Sequence, residues 1–540
     1  MNVFRREAGV RSVNLEDRVV TRQLRLAAEN SPDAQFLSFP SAAFTYANFH
    51  ERTNRVANTL SSLGLQQFGK LAVFARNSPQ FVEAWFGAAK LGALYVPINT
   101  EYKGEVLRYQ LDNAEVTHIV IDPEFLGRLD AIIEALPAIR HVIVTEPAEV
   151  PERIGRAAKV HRMTDLYAGS AKDPGVEVGF DQPHAISFTS GTTGPSKGVL
   201  VVNAHVVTFA LDWIRYMAFQ PHESIFTPLP LFHAIGAWLG VVPAMLNAAR
   251  ITVSPRFSAS TFWDDIRAAK ADVTHGIFSM IPILLKQPER PDDADQPARA
   301  YYIGNQNPAF EERFKCHIVE VYGATETGIV TGTDYGKPRV PKSCGTPNSE
   351  TFDVAVLNSR DEPAAVGEVG EIAVRPKKPF SMLQAYYRQP DATMEAFRNL
   401  WFHTGDNGRM DADGNIFFTD RKKDAIRRRG ENISSYELEF AINRHPDVLE
   451  CAAVPVTSDL GEDEVKVVVV LREGASVSAE AFWTFCDDAL PRFWVPSFVE
   501  FRDKMPKTAN HKIQKYLLKD RGEGQRFYAR DWKTGAIREV

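Results

Sequence analysis

The feature that most restricts the fold is an alternation of strand-like and helix-like segments near the start of the chain. Residues 70–75 (KLAVFA) and 94–96 (LYV) are short apolar runs, and residues 79–91 between them begin with proline and carry helical spacing. A strand, a helix and a second strand in this order predict a βαβ unit, whose two strands lie parallel in one sheet. Further apolar runs of strand length continue the pattern at 118–121, 141–144 and 251–253.

The chain has 540 residues, more than the roughly 250–300 at which one hydrophobic core stops growing, so we expect two or more domains. From about residue 352 the sequence changes to short alternating segments, which predict a small β-rich unit. Residues 420–432 (DRKKDAIRRRGEN) form a dense charge run that marks a boundary. We therefore predict an α/β N-terminal domain over 1–419, with mainly parallel sheets flanked by helices, a hinge at 420–423, and a smaller, mobile α+β domain over 424–540.

Residues beyond the charge run predict helices and strands in a compact arrangement. Ser434 and Glu437 fit a capping box, in which two side chains satisfy free backbone N–H groups at the start of a helix. Residues 520–540 are polar, and we expect them to form a loosely held tail. Strand-like or helix-like runs lie at 451–456, 465–471, 479–490 and 498–502.

Composition excludes several classes of partner and location. Sixty-two basic and sixty-eight acidic residues give a net charge of -6, which argues against a nucleic-acid partner. The four cysteines are scattered without a CxxC pair, as in proteins of the reducing cytoplasm. The N-terminus lacks the apolar core of a signal peptide, and the longest apolar run, 236–249, is broken by proline. We therefore expect a cytoplasmic protein with no integral membrane segment.

A loop rich in glycine and hydroxyl groups follows a predicted strand at 184–188. Residues 188–200 read FTSGTTGPSKGVL and contain one cation. Glycines let backbone N–H groups approach an anion closely, hydroxyls add donors, and a lysine supplies a point charge. The pattern favours a phosphate-binding loop at a sheet edge. The residues that we assign to this role are Thr189, Ser190, Gly191, Thr192, Thr193, Gly194 and Lys197.

Two other interpretations of this loop are weaker. A flexible linker would have a similar composition, but a lysine and a proline between two apolar runs argue against it. The loop of P-loop NTPases requires GxxxxGK[ST]. Gly191 lies at the right distance before Lys197, but Ser196 replaces the second glycine and Gly198 replaces the magnesium-binding hydroxyl. The P-loop interpretation therefore fails on its chemistry.

The run TSGTTGPSKGV resembles the signature loop of the adenylate-forming superfamily, which includes acyl-CoA synthetases, adenylation domains of peptide synthetases and firefly luciferase. The resemblance extends from about residue 44 to residue 515. Segments such as GNQNPAFEERF at 304–314 are most similar to the branch of carnitine/crotonobetaine-CoA ligase-like enzymes. Three later motifs follow in the expected order: YGATE at 322–326, WFHTGD at 401–406 and PKTANHKIQK at 506–515.

The resemblance implies a nucleotide and metal site. In this family the tyrosine of YGATE lies against adenine, the threonine contacts phosphate, and the glutamate helps to hold Mg²⁺, which prefers hard oxygen ligands. The aspartate of WFHTGD accepts the ribose hydroxyls, and a later arginine also reaches the ribose. The matching positions are Tyr322, Thr325, Glu326, Asp406 and Arg421, and the resemblance also assigns Phe418 and Gly430 to cofactor binding.

A further set of implied positions concerns the acyl group. LFH at 231–233 resembles the segment whose histidine gates the acyl pocket, and YIGNQNP at 302–308 replaces the usual adenine loop. Trp238 has two interpretations that stay open here: it shortens the acyl pocket and disfavours long straight chains, or it belongs to the core. The positions concerned are His233, Gly236, Trp238, Gly323 and Ala324 for the pocket, and Gly304, Asn305 and Gln306 for the loop.

The motif PKTANHKIQK carries the implied catalytic lysine, Lys512, which in this family stabilises charge as the carboxylate attacks the α-phosphate. His511 replaces the usual glycine, a departure that affects the position of Lys512 if the backbone there needs a positive φ. The hinge of the family aligns with Lys423. Besides Lys512, the resemblance treats Thr325, Glu326 and His233 as catalytic.

The resemblance implies two half-reactions at one site, with ATP, Mg²⁺ and coenzyme A as cofactors. A small-molecule carboxylic acid first forms an acyl-adenylate and pyrophosphate, and the thiol of coenzyme A then takes the acyl group. Two alternatives stay open: a free-standing adenylation enzyme that loads a carrier protein, and a non-catalytic relative that binds nucleotide and acid. A homodimer is also compatible with the sequence.

Overall fold

The computed structural model describes residues 5–7, 10–189, 196–278, 280–303, 306–421, 425–429, 431–457, 462–506, 513–520, 526–532 and 534–540. The chain forms two compact units, each assembled from separate stretches of sequence. The first unit comprises Met1–Thr100, Leu111–Ser187 and Gly198–Asp420. The second unit comprises Glu101–Gln110, Phe188–Lys197 and Arg421–Val540.

The predicted βαβ unit is confirmed in an eight-stranded sheet. Lys70–Phe74 and Leu94–Pro97 pair in parallel, with Lys70 opposite Leu94. The helix Pro79–Lys90 begins at Ser78, whose side chain accepts a hydrogen bond from the backbone N–H of Phe81. The strands of this sheet, in spatial order, are Ala385–Tyr386, Lys197–Val202, Pro183–Thr189, Leu94–Pro97, Lys70–Phe74, His118–Ile121, His141–Val144 and Lys159–Arg162.

The glycine-rich loop joins two neighbouring strands inside this sheet. Pro183–Thr189 lies third in the spatial order, so it is an interior strand rather than a lateral edge strand. It pairs in parallel with Leu94–Pro97, and the loop follows its carboxyl end. The predicted position at a sheet edge is therefore wrong: the loop begins at the carboxyl end of an interior strand, where ligands of α/β sheets commonly bind.

A second, seven-stranded sheet is also largely parallel. Only the pair formed by Gln35–Phe39 and Ala42–Thr45 is antiparallel among its described pairs. Near-continuous apolar strands fit a parallel sheet that is covered on both faces. Its strands, in spatial order, are His317–Val319, Ala300–Tyr302, Val273–His275, Ser224–Thr227, Arg250–Val253, Gln35–Phe39 and Ala42–Thr45.

Helices accompany these sheets along the chain. The helix Asn203–Tyr216 is buried along almost its whole length, which fits a helix in the interior of a large domain. None of the described helices combines the length and apolarity that a bilayer-spanning helix needs. The other α-helices are Val20–Asn30, Tyr46–Ser62, Gly104–Asn113, Leu126–Asp130, Glu152–Ala157, Met163–Leu166, Ala234–Gly236, Val242–Leu246, Phe262–Ala269, Met280–Leu285, Pro308–Phe314, Pro390–Ala396, Ser435–Ile442 and Ala479–Ala489. Shorter helical turns are Leu15–Asp17, Pro123–Phe125, Ile133–Ala135, the π-helical Ala237–Val241, Arg398–Leu400 and Lys515–Leu518.

The β-rich part predicted from about residue 352 is a four-stranded sheet of Phe352–Leu357, Gly370–Pro376, Phe402–Met410 and Ile416–Arg421. Its first three strands pair antiparallel. A three-stranded antiparallel sheet precedes it, and a small hairpin lies near the N-terminus. Their strands are Val321–Ala324, Gly328–Gly332 and Thr346–Pro347, and Arg5–Glu7 and Val10–Ser12. The predicted fold class is confirmed.

The second unit combines a hairpin with a five-stranded sheet. The hairpin strands are Ala425–Arg428 and Glu431–Ser434, and Arg428 lies opposite Glu431. Buried valines of Asp463–Leu471 and aromatic residues of Ala479–Ala489 form the core of this unit. The strands of the sheet are Val448–Thr457, Asp463–Leu471, Phe498–Phe501, Arg526–Arg530 and Ile537–Glu539.

The prediction of a loosely held tail over 520–540 is wrong for its described part. Arg526–Arg530 pairs antiparallel with Phe498–Phe501, and Ile537–Glu539 pairs antiparallel with Arg526–Arg530 in turn. The reason is a period of two: Phe527 and Ala529 are buried, and polar residues alternate with them. This alternation spans only five residues and is surrounded by charged residues, so the composition of residues 520–540 as a whole is polar.

Candidate functional site

The YGATE motif forms a tight β-hairpin in the first unit. Val321–Ala324 pairs with Gly328–Gly332, and Thr325 lies in the turn between them, half-buried. Gly323 has no room for a side chain, because a Cβ there would lie 2.0 Å from the carbonyl oxygen of Gly328. The backbone N–H of Ala324 donates to the Thr327 hydroxyl at 3.2 Å, which closes the turn. The hairpin therefore presents Tyr322, Thr325 and Glu326 from a fixed backbone.

Three implied cofactor residues come together from three different strands. The Tyr322 hydroxyl donates to Asp406 Oδ2 at 2.8 Å. The Phe418 ring lies 6.3 Å from the Tyr322 ring, centroid to centroid, and is about half exposed. Two aromatic faces beside a carboxylate could hold an aromatic base and the hydroxyls of its sugar, since a carboxylate offers two acceptors to two donors.

The WFHTGD motif holds Asp406 through its own backbone and side chains. Gly405 has φ +77°, a conformation that favours glycine, and its N–H donates to Glu371 Oε1 at 3.0 Å. The Thr404 hydroxyl donates to the carbonyl oxygen of Ile372 at 2.7 Å and accepts from the Asp406 N–H at 3.2 Å. These bonds fix the backbone on both sides of the carboxylate. The motif is part of the strand Phe402–Met410 and not a free turn.

Glu326 is buried beside Tyr386. The Tyr386 hydroxyl donates to Glu326 Oε1 at 3.3 Å, and the Leu383 N–H donates to the carbonyl oxygen of Glu326 at 2.7 Å. Burial and the neighbouring carboxylate raise the pKa of the Tyr386 hydroxyl, so it stays a donor. Tyr386 also lies opposite Val199 in the sheet. This pairing links Glu326 to the strand that follows the glycine-rich loop.

Glu326 fits the metal role by its chemistry. A carboxylate oxygen is the ligand type that Mg²⁺ prefers, and Mg²⁺ in nucleotide enzymes needs only one or two carboxylates because phosphates and waters complete its shell. Across the described residues, no group of three or more His, Cys, Asp or Glu side chains could form an all-protein metal cage. The site thus suits a metal that arrives with a nucleotide.

Gln306 and Glu320 form a pair that the motifs did not reveal. The Gln306 backbone N–H donates to Glu320 Oε2 at 3.3 Å, and its side-chain amide donates to the carbonyl oxygens of Val340 and Ser343 at 3.1 and 3.4 Å. Burial raises the pKa of Glu320 to about 7. The side-chain amide of Gln306, a position assigned to the adenine loop, therefore holds a neighbouring loop. The only signal for Glu320 was its position just before YGATE.

Three of the acyl-pocket positions, His233, Gly236 and Trp238, lie at or within a helical segment, whereas Gly323 and Ala324 belong to the YGATE hairpin. His233 precedes Ala234–Gly236, and its carbonyl oxygen accepts from the Ala237 N–H at 3.0 Å. Gly236 cannot carry a side chain, since a Cβ would lie 2.3 Å from the carbonyl oxygen of Pro230. Trp238 is 1% exposed, and its indole N–H donates to the Tyr95 hydroxyl. This burial favours the core interpretation of Trp238.

In the second unit, the described ends of the glycine-rich loop are Thr189, which ends its strand, and Lys197, which begins the next. Ser196 is anchored by Glu437: its backbone N–H and its hydroxyl donate to Glu437 Oε1 at 2.7 and 2.5 Å. The Tyr109 hydroxyl also donates to the carbonyl oxygen of Ser196 at 3.2 Å. The carboxylate of Glu437 thus holds the end of the loop.

The capping prediction is half right. The Ser434 hydroxyl accepts from the Glu437 N–H at 3.3 Å and caps the helix Ser435–Ile442. The Glu437 carboxylate, which a capping box would turn back to the Ser434 N–H, bonds to Ser196 instead. Burial raises the pKa of Glu437, and the bonds from Ser196 oppose that effect.

Several predicted site residues lie outside the described residues. The second lysine of PKTANHKIQK is described: the Lys515 ammonium donates to Ser435 Oγ at 2.8 Å and pairs with Glu439 at 2.7 Å. It therefore anchors the segment that follows Lys512. The residues outside the described part are Ser190, Gly191, Thr192, Thr193, Gly194, Gly304, Asn305, Lys423, Gly430, His511 and Lys512, together with the side chain of Arg421.

Comparison with known proteins gives independent information. The AMP-binding enzyme family matches residues 24–387, and the AMP-binding enzyme C-terminal domain matches residues 437–512. A crotonobetaine/carnitine–CoA ligase of Salmonella paratyphi B is 32% identical over 486 residues, which cover 88% of this chain and 93% of that protein.

Two solved structures support the fold. The MenE o-succinylbenzoate CoA synthetase from Bacillus subtilis, as a double mutant, matches with a TM-score of 0.80 at 21% identity, over 93% of this chain and 99% of that one. ATP-bound MatB from Rhodopseudomonas palustris matches with a TM-score of 0.68 at 25% identity, over 93% and 98%.

The resemblance seen in the motifs is thus confirmed by matches that span both units. The chain belongs to the AMP-binding enzymes of the adenylate-forming superfamily, and it is an AMP-forming acid–thiol ligase.

Proposed function

We propose that this enzyme activates a small carboxylic acid with MgATP and transfers the acyl group to coenzyme A. The carboxylate attacks the α-phosphate, which gives acyl-adenylate and pyrophosphate. The coenzyme A thiol then attacks the acyl carbonyl, and AMP leaves. The observation that carries the proposal is the grouping of Tyr322, Asp406 and Phe418 beside the YGATE turn, because it supplies an aromatic platform and a diol acceptor for adenosine.

The roles of the individual residues are those that the motifs imply. Asp406 accepts the ribose hydroxyls, and Tyr322 and Phe418 contact the adenine. Thr325 contacts phosphate from the turn, and Glu326 would hold Mg²⁺, which neutralises phosphate charge when bound. The glycine-rich loop binds the departing phosphates through its backbone N–H groups and Lys197. Lys512 stabilises the charge that develops at the α-phosphate.

The second half-reaction belongs to the second unit. We propose a hinge at 420–423, with Lys423 at its centre, about which the domain over 424–540 rotates between the two steps. Such hinges need only a residue or two that absorb a large change in φ and ψ. Residues 427–432 of the hairpin then face coenzyme A, and their arginines are available for its phosphates.

The acid is proposed from the relatives. The 32% identical relative from Salmonella paratyphi B is named for crotonobetaine and carnitine, so we propose a short, polar acid of betaine type as the first candidate. Trp238 in the core leaves the acyl pocket to be shaped by His233, Gly236, Gly323 and Ala324 on the described turns. Long straight acyl chains are the expected poor substrates, because the first candidate is a short, polar acid.

We also propose a cytoplasmic location. The four cysteines, Cys316, Cys344, Cys451 and Cys486, are free and buried, as expected in a reducing compartment. A homodimer is a proposal that the molecular mass in solution tests directly.

The test is pyrophosphate release from MgATP with short, branched, aromatic, betaine-type and long-chain acids, each with and without coenzyme A. We expect release that coenzyme A stimulates for one class of acid. Slow release that is indifferent to coenzyme A would instead indicate a carrier-protein partner. Binding of ATP without release on any acid would indicate the non-catalytic alternative and contradict the proposal.

A further inference from the structure

The chain continues past the region that the family shares. The C-terminal family match ends at residue 512, and residues 526–540, here called the C-terminal extension, add two strands to the sheet of the second unit. Trp532 lies between these two strands and is half-buried. Neither the motifs nor the family matches assign the extension a function.

The extension contacts the hairpin of Ala425–Arg428 and Glu431–Ser434, here called the basic hairpin. Arg428, the last residue of the first hairpin strand, is 1% exposed. Its guanidinium donates to the carbonyl oxygens of Phe493 and Val495 at 3.0 and 2.7 Å. It also pairs with Glu464 at 2.5 Å. A buried cation is costly without partners, so these bonds fix the end of the hairpin strand against the segment 493–497.

Trp532 completes this network from the extension. Its ring centroid lies 4.8 Å from the Arg428 guanidinium carbon, and its indole N–H donates to Ser497 Oγ at 2.8 Å. Arg428 donates to the same oxygen at 2.7 Å, and the Ser497 hydroxyl donates to Glu464. The hydroxyl therefore accepts two bonds and donates one, which uses its full capacity.

The turn of the hairpin lies against the same indole. Arg429 has φ +54°, in the left-handed region, and its side chain is exposed. Its guanidinium carbon lies 5.5 Å from the Trp532 centroid, within the range of a cation–π contact. Arg530, from the preceding strand, lies 5.4 Å from the same centroid and pairs with Asp487. One indole thus contacts both the buried anchor and the exposed turn of the hairpin.

We propose that Trp532 of the C-terminal extension is a positioning residue for thioester formation: it holds the basic hairpin, through Arg428 and Arg429, in the orientation that receives coenzyme A. This inference rests on the proposed function, in which residues 427–432 face coenzyme A. The nucleotide residues Tyr322 and Asp406 lie on strands outside this network. Loss of Trp532 therefore affects the second half-reaction and leaves the first unchanged.

The test is Trp532→Ala, with the two half-reactions measured separately. Acyl-adenylate is trapped by hydroxylamine in the absence of coenzyme A, and thioester is measured with coenzyme A varied. We expect kcat/KM for coenzyme A to fall about tenfold, the size of one lost cation–π contact and one lost hydrogen bond, with adenylate formation changed less than about twofold. Trp532→Phe keeps a ring over Arg428 and recovers most of the loss. Arg538→Ala, on the exposed last strand, is the matched control and is expected to have no effect.

Hydrogen exchange provides a readout that does not depend on activity. Backbone N–H groups of the basic hairpin should exchange faster in Trp532→Ala than in the wild type, while those of Val321–Ala324 stay unchanged. If Trp532→Ala does not fold, Trp532→Phe removes the indole hydrogen bond alone and tests the same link. Ser497→Ala removes the oxygen that accepts from both Trp532 and Arg428 and tests the network as a whole. Equal slowing of both half-reactions, or unchanged hairpin exchange with normal thioester formation, would overturn the inference. Absence of coenzyme A-dependent turnover in the wild type would instead contradict the proposed function.

Discussion

The proposed nucleotide site of the first unit and the basic hairpin of the second unit hold their functional residues in different ways. In the first unit, Tyr322 and Asp406 bond directly to each other, and each stands on a strand fixed by its own motif. In the second unit, the hairpin is held from outside its motif, by Ser497 and Trp532. Motifs therefore reveal residues that contact a ligand more readily than residues that support them.

This difference predicts which step of the reaction each substitution impairs. Changes in the nucleotide site should impair adenylate formation directly, whereas changes in supporting residues should impair one step through a displaced element.

The largest effect is expected for Asp406→Asn. The substitution removes a charged acceptor for the ribose hydroxyls and weakens the partner of the Tyr322 hydroxyl, so adenylate formation should fall about 100-fold, with a higher KM for ATP. Pyrophosphate release without coenzyme A measures the rate of adenylate formation. Tyr322→Phe keeps the ring and should cost only a few-fold. Asp413→Asn, in an exposed turn, is the control. A normal KM for ATP in Asp406→Asn would contradict the assignment.

Glu320 should make stability depend on pH. Its pKa is about 7 in the folded protein against an ordinary value of 4.5, so folding favours the protonated form, and the carboxylate destabilises the protein as pH rises from 4.5 to 7. Glu320→Gln should therefore stabilise the protein by about 1–3 kcal/mol at pH 8, and the gain should vanish towards pH 4. Denaturant unfolding at both pH values measures this. Exposed Glu473→Gln is the control, and a gain independent of pH would exclude the carboxylate as its cause.

Glu437 tests the anchoring of the glycine-rich loop. Glu437→Ala removes the acceptor for both donors of Ser196, so the loop loses its fixed end and adenylate formation should fall about tenfold. Glu437→Gln keeps an acceptor oxygen and should retain most of the rate. Glu480→Ala, an exposed acid in the first turn of another helix, is the control. Equal rates for Glu437→Ala and the wild type would show that the anchor has no role in catalysis.

The smallest effect on activity is expected for Trp238→Phe. Trp238 is buried and bonded to Tyr95, so the substitution should lower the free energy of unfolding by about 1–2 kcal/mol and leave the preference among acids unchanged. Trp263→Phe, a buried tryptophan with no hydrogen bond from its indole N–H among the described residues, separates the bond from the loss of volume. A shift towards longer acids in Trp238→Phe would favour the pocket interpretation.

The sequence predicted those parts of the fold that repeat a strong local pattern. The strands Lys70–Phe74 and Leu94–Pro97 are apolar throughout, and the helix between them carries a serine cap and a proline at its start, so pattern and structure agree. The strand Arg526–Arg530 was missed because two buried side chains in five residues are too weak a signal among charges.

The motifs of the candidate site could be predicted from the sequence, but the contacts between their residues could not. Tyr322, Asp406 and Phe418 were each assigned from separate segments, but only the folded strands show that they meet. Glu437 was interpreted as a capping residue because its nearest donor in sequence is Ser434. Its partner, Ser196, lies 241 positions away, and no local pattern indicates a contact at that distance.

The most direct test of the proposed function is the identity of the nucleotide products when MgATP, a betaine-type acid and coenzyme A react to completion. Phosphorus NMR resolves AMP, ADP, phosphate and pyrophosphate in one experiment, and the thioester is measured in parallel. We expect AMP, pyrophosphate and thioester in equal amounts. Formation of ADP and phosphate, or of AMP without thioester, would contradict the proposed function.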